Sequence, residues 1–219
     1  MRYISIFKKG ACALFLVILL SPWSKAASIQ IVCDNDFAVF AGTVSSISRL
    51  VYQNGANWDS QIASAASFDL SLANGEDTIY LLAMGGGGQE NISGKINDVN
   101  ITSLSSIRQS NEVQNYLSSY GLNKDNDNVA NGIYDAILVD VQNALTSLSW
   151  STPTPLFNPS SAEAHVIGEA GFGSGFAFND STAVLYRFEA SQVGVPEPSA
   201  LSLLAVGLGG LAVMWRRRS

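Results

Sequence analysis

Hydrophobic and polar positions divide the chain into stretches of unlike texture. From Ser28 to Asn100 short apolar or alternating runs follow one another: SIQIVC, FAVFAG, SRLVYQ, SFDLSLA and TIYLLAM. They are rich in β-branched and aromatic residues, which suit a pleated, half-buried surface. Asp34-Asn35-Asp36, Asn54-Gly55 and Asn74-Gly75 stand between them as turn formers. Turn signals about every ten residues predict a mainly-β fold, a single β-sandwich or jelly roll rather than α/β. Asn74-Gly75 is expected to make a hairpin-like turn between SFDLSLA and TIYLLAM, lengthened by Glu76-Asp77. Leu70, Leu72, Ile79, Leu81, Val184 and Tyr186 are the expected core positions.

The texture changes in the middle. Val113, Tyr116, Leu117 and Tyr120 fall at i, i+3, i+4 and i+7, with Gly121 as a stop, predicting a helix over Ser110–Tyr120. Ile137, Val141, Leu145 and Leu148 make a second apolar stripe over Ile137–Leu148, although Ile133–Val141 also reads as an alternating strand. LNKDNDNVANG, residues 122–132, is a polar loop between the two. STPTPLFNPS is a proline-punctuated connector, after which strand-like runs return at Ala164–Ile167, Gly175–Phe178 and Ala183–Phe188. The expected body is therefore one β-sandwich over residues 27–190, with a two-helix insertion over about 104–150.

Both ends differ from this body. Three cations precede a ten-residue apolar run, Ala11–Leu20, and a polar SPWSKAAS. The run falls short of the roughly 20 residues a spanning helix needs, so residues 1–26 read as a signal peptide forming a signal helix. Ser24 and Ala26 supply the small side chains for signal peptidase, with cleavage before Ala27. Over residues 191–219 the order is Val195-Pro196-Glu197-Pro198, an uncharged apolar run of 16 residues from Ala200 to Trp215, and Arg216-Arg217-Arg218. Proline fixes φ and restrains its predecessor, so the first segment is extended and stiff. The apolar run reaches about 24 Å, workable as a transmembrane helix across a roughly 30 Å core with snorkelling arginines. The arginines hold the end in the cytoplasm and leave the body outside. This three-part tail resembles a PEP-CTERM sorting signal. The resemblance implies recognition by an exosortase, a membrane-embedded cysteine protease or transpeptidase of bacteria that make exopolysaccharide. The expected location is a transient inner-membrane anchor, then the cell surface or the extracellular space.

Charge matters once the ends are set aside. The body keeps five of the 12 cations against 17 of the 18 acids, a net of −12. It offers no basic patch, which argues against nucleic acid as a partner. Cys12 lies in the leader, so Cys33 is the body's single thiol, read as a plain strand residue or as a thiol able to pair between molecules. His165 is the only histidine and no nucleophile elbow accompanies it, so the chain reads as non-catalytic. No cofactor is expected. Calcium is the one candidate, at Asp34 and Asp36 or at Asp125 and Asp127, against the reading of both clusters as capped turns. The sequence around Asp125 is not an EF-hand, because Asn128 and Tyr134 stand where Gly and Glu are needed. Gly85–Gly88 has no Lys-Ser/Thr after it and reads as a flexible hairpin or a close backbone approach. The sequons at Asn91, Asn100 and Asn179 mark hydrophilic surface.

DNDFAVFAG, Trp58 and LANGEDTIYLLAM also occur in an order that resembles a galactose-binding-like jelly roll. That resemblance implies a β-sandwich serving carbohydrate or surface binding. Trp58, Trp150 and the tyrosines would then be either a sugar-stacking platform or core. Three functions follow. The first is a structural or interaction protein of the cell surface or matrix, linked to exopolysaccharide or biofilm. The second is a carbohydrate-binding module, with calcium support. The third is a glycan hydrolase, which needs two facing carboxylates about 5–9.5 Å apart.

Overall fold

The chain passes repeatedly from one antiparallel sheet to another. The computed structural model describes residues 26–34, 36–54, 56, 58–85, 90–117, 133–157, 171–179 and 182–194. Sheet A contains β1 (Ala27–Cys33), β4 (Ala66–Leu70), β6 (Glu90–Ile96), β7 (Val99–Asn100), β9 (Pro155–Phe157) and β10 (Ser174–Phe178). Its order is β4-β1-β6-β10-β9, with β7 against β6. Sheet B contains β2 (Asp36–Thr43), β3 (Ser46–Asn54), β5 (Thr78–Met84), β8 (Arg108–Ser110) and β11 (Ala183–Glu189), in the order β3-β2-β5-β11-β8. The fold is mainly β, with two sheets and few helices.

One core lies between the sheets. The alternation in β1 turns Ile29, Ile31 and Cys33 inward, where they meet Phe37 and Val39 of β2, Ile79 and Leu81 of β5, and Val184, Tyr186 and Phe188 of β11. All six expected core residues are buried. A second core covers the other face of sheet B. Ala38, Phe40, Tyr80, Leu82 and Leu185 pack there against two helices, α2 (Gln114–Leu117) and α3 (Ile133–Ala144). This is why β5 is buried at every position instead of alternating. A small cluster of Val32 and Phe172, with Ala65, lies apart from both cores, and α1 (Trp58–Ala63) packs against β1.

Several sequence expectations need correction. Asn74-Gly75 is a turn, with Gly75 at φ 87°, but it joins sheet A to sheet B and is no hairpin. Glu76 explains the geometry. Its carboxylate accepts the Ala73 amide at 2.7 Å and the Arg49 guanidinium at 2.9 and 3.1 Å, tying the turn to β3. The helix expected over Ser110–Tyr120 shrinks to α2. Ser110 belongs to β8 and pairs with Leu185, while Tyr116 is 39% exposed and only Val113 and Leu117 turn inward. Tyr120 lies outside the described residues. For α3 the helical reading holds over the strand alternative, but the helix begins at Ile133 and ends at Ala144. Leu145 falls in a 3-10 turn and Leu148 after it, and both are buried on sheet B with Ile137 and Val141. The sequon at Asn91 does not mark surface. Asn91 and Ser93 are fully buried in β6, where the Ser93 hydroxyl donates to the Ser174 carbonyl.

The signal helix, the transmembrane run and Ala164–Ile167 lie outside the described residues. Among the described residues no helix is long and apolar enough to cross a membrane.

Candidate functional site

The two ends of the body meet at one corner. Asn97 and Asp98, at φ 47° and 65°, form the two-residue turn between β6 and β7, a backbone that asparagine and aspartate tolerate. The Asn97 side chain accepts the Ser28 amide at 3.0 Å and donates to the Val193 carbonyl at 2.7 Å. It thereby joins the start of β1 to the last turn of the body, a 3-10 segment over Ala190–Val193. Gly194 closes that turn in the left-handed region at φ 65°. Ala26, exposed, stands immediately before β1. Ser24, the Val195-Pro196-Glu197-Pro198 segment and Arg216, Arg217 and Arg218 lie outside the described residues.

At the passage from β1 to β2 the structure gathers acids around Cys33. Asp34 is buried and its amide donates to the Asn91 carbonyl at 3.0 Å, while Asp36 is half-buried. Glu90 is fully buried, and a Cβ on Gly85 would lie 2.5 Å from its Cγ, so the Glu90 side chain lies directly over Gly85. Gln61 of α1 accepts the Cys33 amide at 2.9 Å. Burial, then the charges of Glu90, Asp34 and Asp36, push the Cys33 thiol well above its ordinary range. With no exposed surface and a suppressed thiolate, Cys33 has no access to a partner molecule, which removes the intermolecular-disulfide reading. Among the described residues no group of three or more His, Cys, Asp or Glu is placed to hold a metal ion. Asp125, Asp127 and His165 lie outside the described residues.

A third place was not visible in the sequence. Strand register lines up Leu50, Phe40, Tyr80, Arg187 and Arg108 in one row across sheet B. Phe40 and Tyr80 lie under the helical layer, and beyond it the row ends in two arginines directly opposite each other. Like charges directly opposite each other are destabilising. Trp150 lies against Arg187, with the guanidinium carbon 4.0 Å from the ring centre. A bridge places the indole there, since Gln109 of β8 and Ser151 exchange amide hydrogen bonds of 2.8 and 2.9 Å. Arg187 donates to the Val44 carbonyl at 3.0 Å, and Arg108 to the Ser105 and Ile107 carbonyls at 3.2 and 2.7 Å. Neither arginine is in an ion pair with a described carboxylate; the pair formed among the described residues is Arg49–Glu76. Both line an open cleft of about 450 Å³ with Asp77, Thr78, Ser106, Glu189 and Ser191. Tyr80 donates to the Thr43 carbonyl, and its hydroxyl is pushed up to about 12, by burial first and Asp77 next, against the opposing effect of Arg187.

Of the aromatics expected for a stacking platform, Tyr116 is exposed among the described residues. Trp150 is half-buried on Arg187, and Tyr52 stacks on Phe68 with ring centres 4.1 Å apart. Tyr80 and Tyr186 are core. The Trp58 side chain lies outside the described residues.

Residues 194–218 match the PEP-CTERM protein-sorting motif. The match begins at Gly194, the residue that closes the last turn of the body. No curated protein and no solved structure matches the chain. The two sheets and the motif together define an exported, mainly-β protein processed by an exosortase. The motif implies transit through the membrane to an exported or cell-surface location, with exosortase as the processing partner.

Proposed function

We propose that this chain is a surface or extracellular-matrix protein whose body plays a structural or interaction role linked to exopolysaccharide or biofilm. The sorting motif over residues 194–218 carries the reading, because it implies transit through the membrane to an exported or cell-surface location. Signal peptidase removes the leader before Ala27. The Arg216–Arg218 cluster and the apolar helix then hold the precursor in the inner membrane, and exosortase cuts at or near Pro196–Pro198. The body is a β-sandwich and not an enzyme. Its geometry suits this route: Asn97 holds the start of β1 and the residue before Gly194 at one corner, so both processed ends leave the same side of the body.

The experiment is genetic. In a host with a matching exosortase, deleting that enzyme or changing Pro196, Glu197 and Pro198 to Ala should trap the full-length chain in the membrane. Unchanged release from either strain would rule out exosortase processing. A second reading, a carbohydrate-binding module, is supported by the cleft that Arg108 and Arg187 share with hydroxyl and carboxylate side chains.

A further inference from the structure

We propose that the Arg108–Arg187 cleft binds an acidic saccharide, a sugar carrying a uronate carboxylate. This rests on the carbohydrate-binding reading above and names the substrate class for it. The body holds five cations among 17 acids, yet two of those cations face each other across neighbouring strands. Neither is in an ion pair with a described carboxylate. Two cations opposite each other repel, and an anion bound between them offsets that repulsion. Both guanidiniums are held in place, Arg187 by the Trp150 ring and the Val44 carbonyl, Arg108 by two backbone carbonyls. Preorganised guanidinium forks match the planar, two-oxygen geometry of a carboxylate.

The remaining lining separates a sugar acid from a bare anion. Asp77 and Glu189 oppose any anion, a dianionic phosphate or sulfate more than a single carboxylate, and they accept hydrogen bonds from sugar hydroxyls, which a bare anion lacks. Thr78, Ser106 and Ser191 add hydroxyls on the same walls. A ligand that is anionic at one end and polyhydroxylated elsewhere satisfies both sets. At about 450 Å³ the cleft is of a size that takes small organic ligands.

The test is isothermal titration of the full-length chain in detergent micelles, which requires no export and no processing. Trigalacturonate should bind, and a neutral galactotriose should bind at least about tenfold more weakly. Arg108→Gln should weaken trigalacturonate binding by about tenfold or more while the chain still unfolds in one cooperative transition. Arg187→Lys keeps the charge and loses the fork, and should weaken it by a smaller factor. Added salt should weaken the wild type more than Arg108→Gln. Equal affinity for galactotriose would overturn the need for the anion. Affinity for inorganic phosphate equal to that for trigalacturonate would overturn the saccharide. Unchanged binding by both variants would overturn the location. None of these results depends on the tail, and a chain that binds trigalacturonate but escapes exosortase would contradict sorting alone.

Discussion

The two sheets differ in how far their outer faces are covered, and the difference accounts for where a cleft can exist. In sheet A, β1 alternates buried and exposed positions over its first half, as expected of a strand with one wet face. In sheet B, β5 is buried throughout because α2 and α3 lie over it. A sheet covered on both faces has no room for charge except where its cover stops. Arg187 follows Tyr80 in the register row at that limit, and Arg108 follows Arg187. The cleft therefore lies at the margin of the helical layer, lined by residues of β5, β8 and β11 and of the turns beside them.

The largest effect is expected where sheet B meets its helices. Phe40 is fully buried between them, and Phe40→Ala should cost about 3–5 kcal/mol in denaturant unfolding. Val32, in the small cluster with Phe172, is the counterpart on the other sheet, and Val32→Ala should cost about 1–2 kcal/mol. Equal losses at the two positions would mean that the helical layer contributes no real packing.

A middle-sized effect is expected at the passage between the sheets. Glu76→Gln should cost about 2 kcal/mol, since it weakens charge-assisted bonds to Arg49. Burial alone would raise the Glu76 carboxyl, but the hydrogen bonds from Arg49 and the Ala73 amide outweigh it and hold it below 4.5. A depressed folded value means stability that is present above the unfolded value and lost as pH falls through the folded one. Melting curves should therefore show the wild type losing stability below about pH 4.5, and the Gln variant losing less over the same range.

The smallest effect belongs to the core both sheets share. Tyr186 stacks on Phe176 with ring centres 5.3 Å apart, and its hydroxyl finds no hydrogen-bond partner among the described residues. Burial drives its ionisation far above the ordinary tyrosine range, with Cys33 adding to the effect. Tyr186→Phe should raise the melting temperature by about 2–4 °C. A decrease would show that the hydroxyl is satisfied in solution.

These residues also show which parts of the fold could be read from the chain. Apolar runs such as TIYLLAM and AVLYRFE announce strands, because burial on either face demands the same residue types. The α3 stripe was legible for a related reason, since one helix face meets one sheet. β6 was not, because ENISGKI buries Glu90, Asn91 and Ser93, and local pattern assigns such residues to the surface. Asn74-Gly75 announces a turn but not the change of sheet, because the Glu76–Arg49 tie that redirects it joins residues distant in sequence. Asn97 and the two cleft arginines were missed for the same reason. Register, not spacing, brings Arg108 beside Arg187, although the scarcity of cations in the body made each one worth following. The sorting tail was legible throughout, since its proline segment, apolar run and arginines act in linear order.

The central claim concerns that tail, and one measurement reaches it directly. Intact mass spectrometry of the extracellular protein should give a chain that starts at Ala27 and has lost Ala200–Ser219. An extracellular chain that still carries Trp215 and Arg216–Arg218 would contradict exosortase processing and leave a plain membrane anchor in its place.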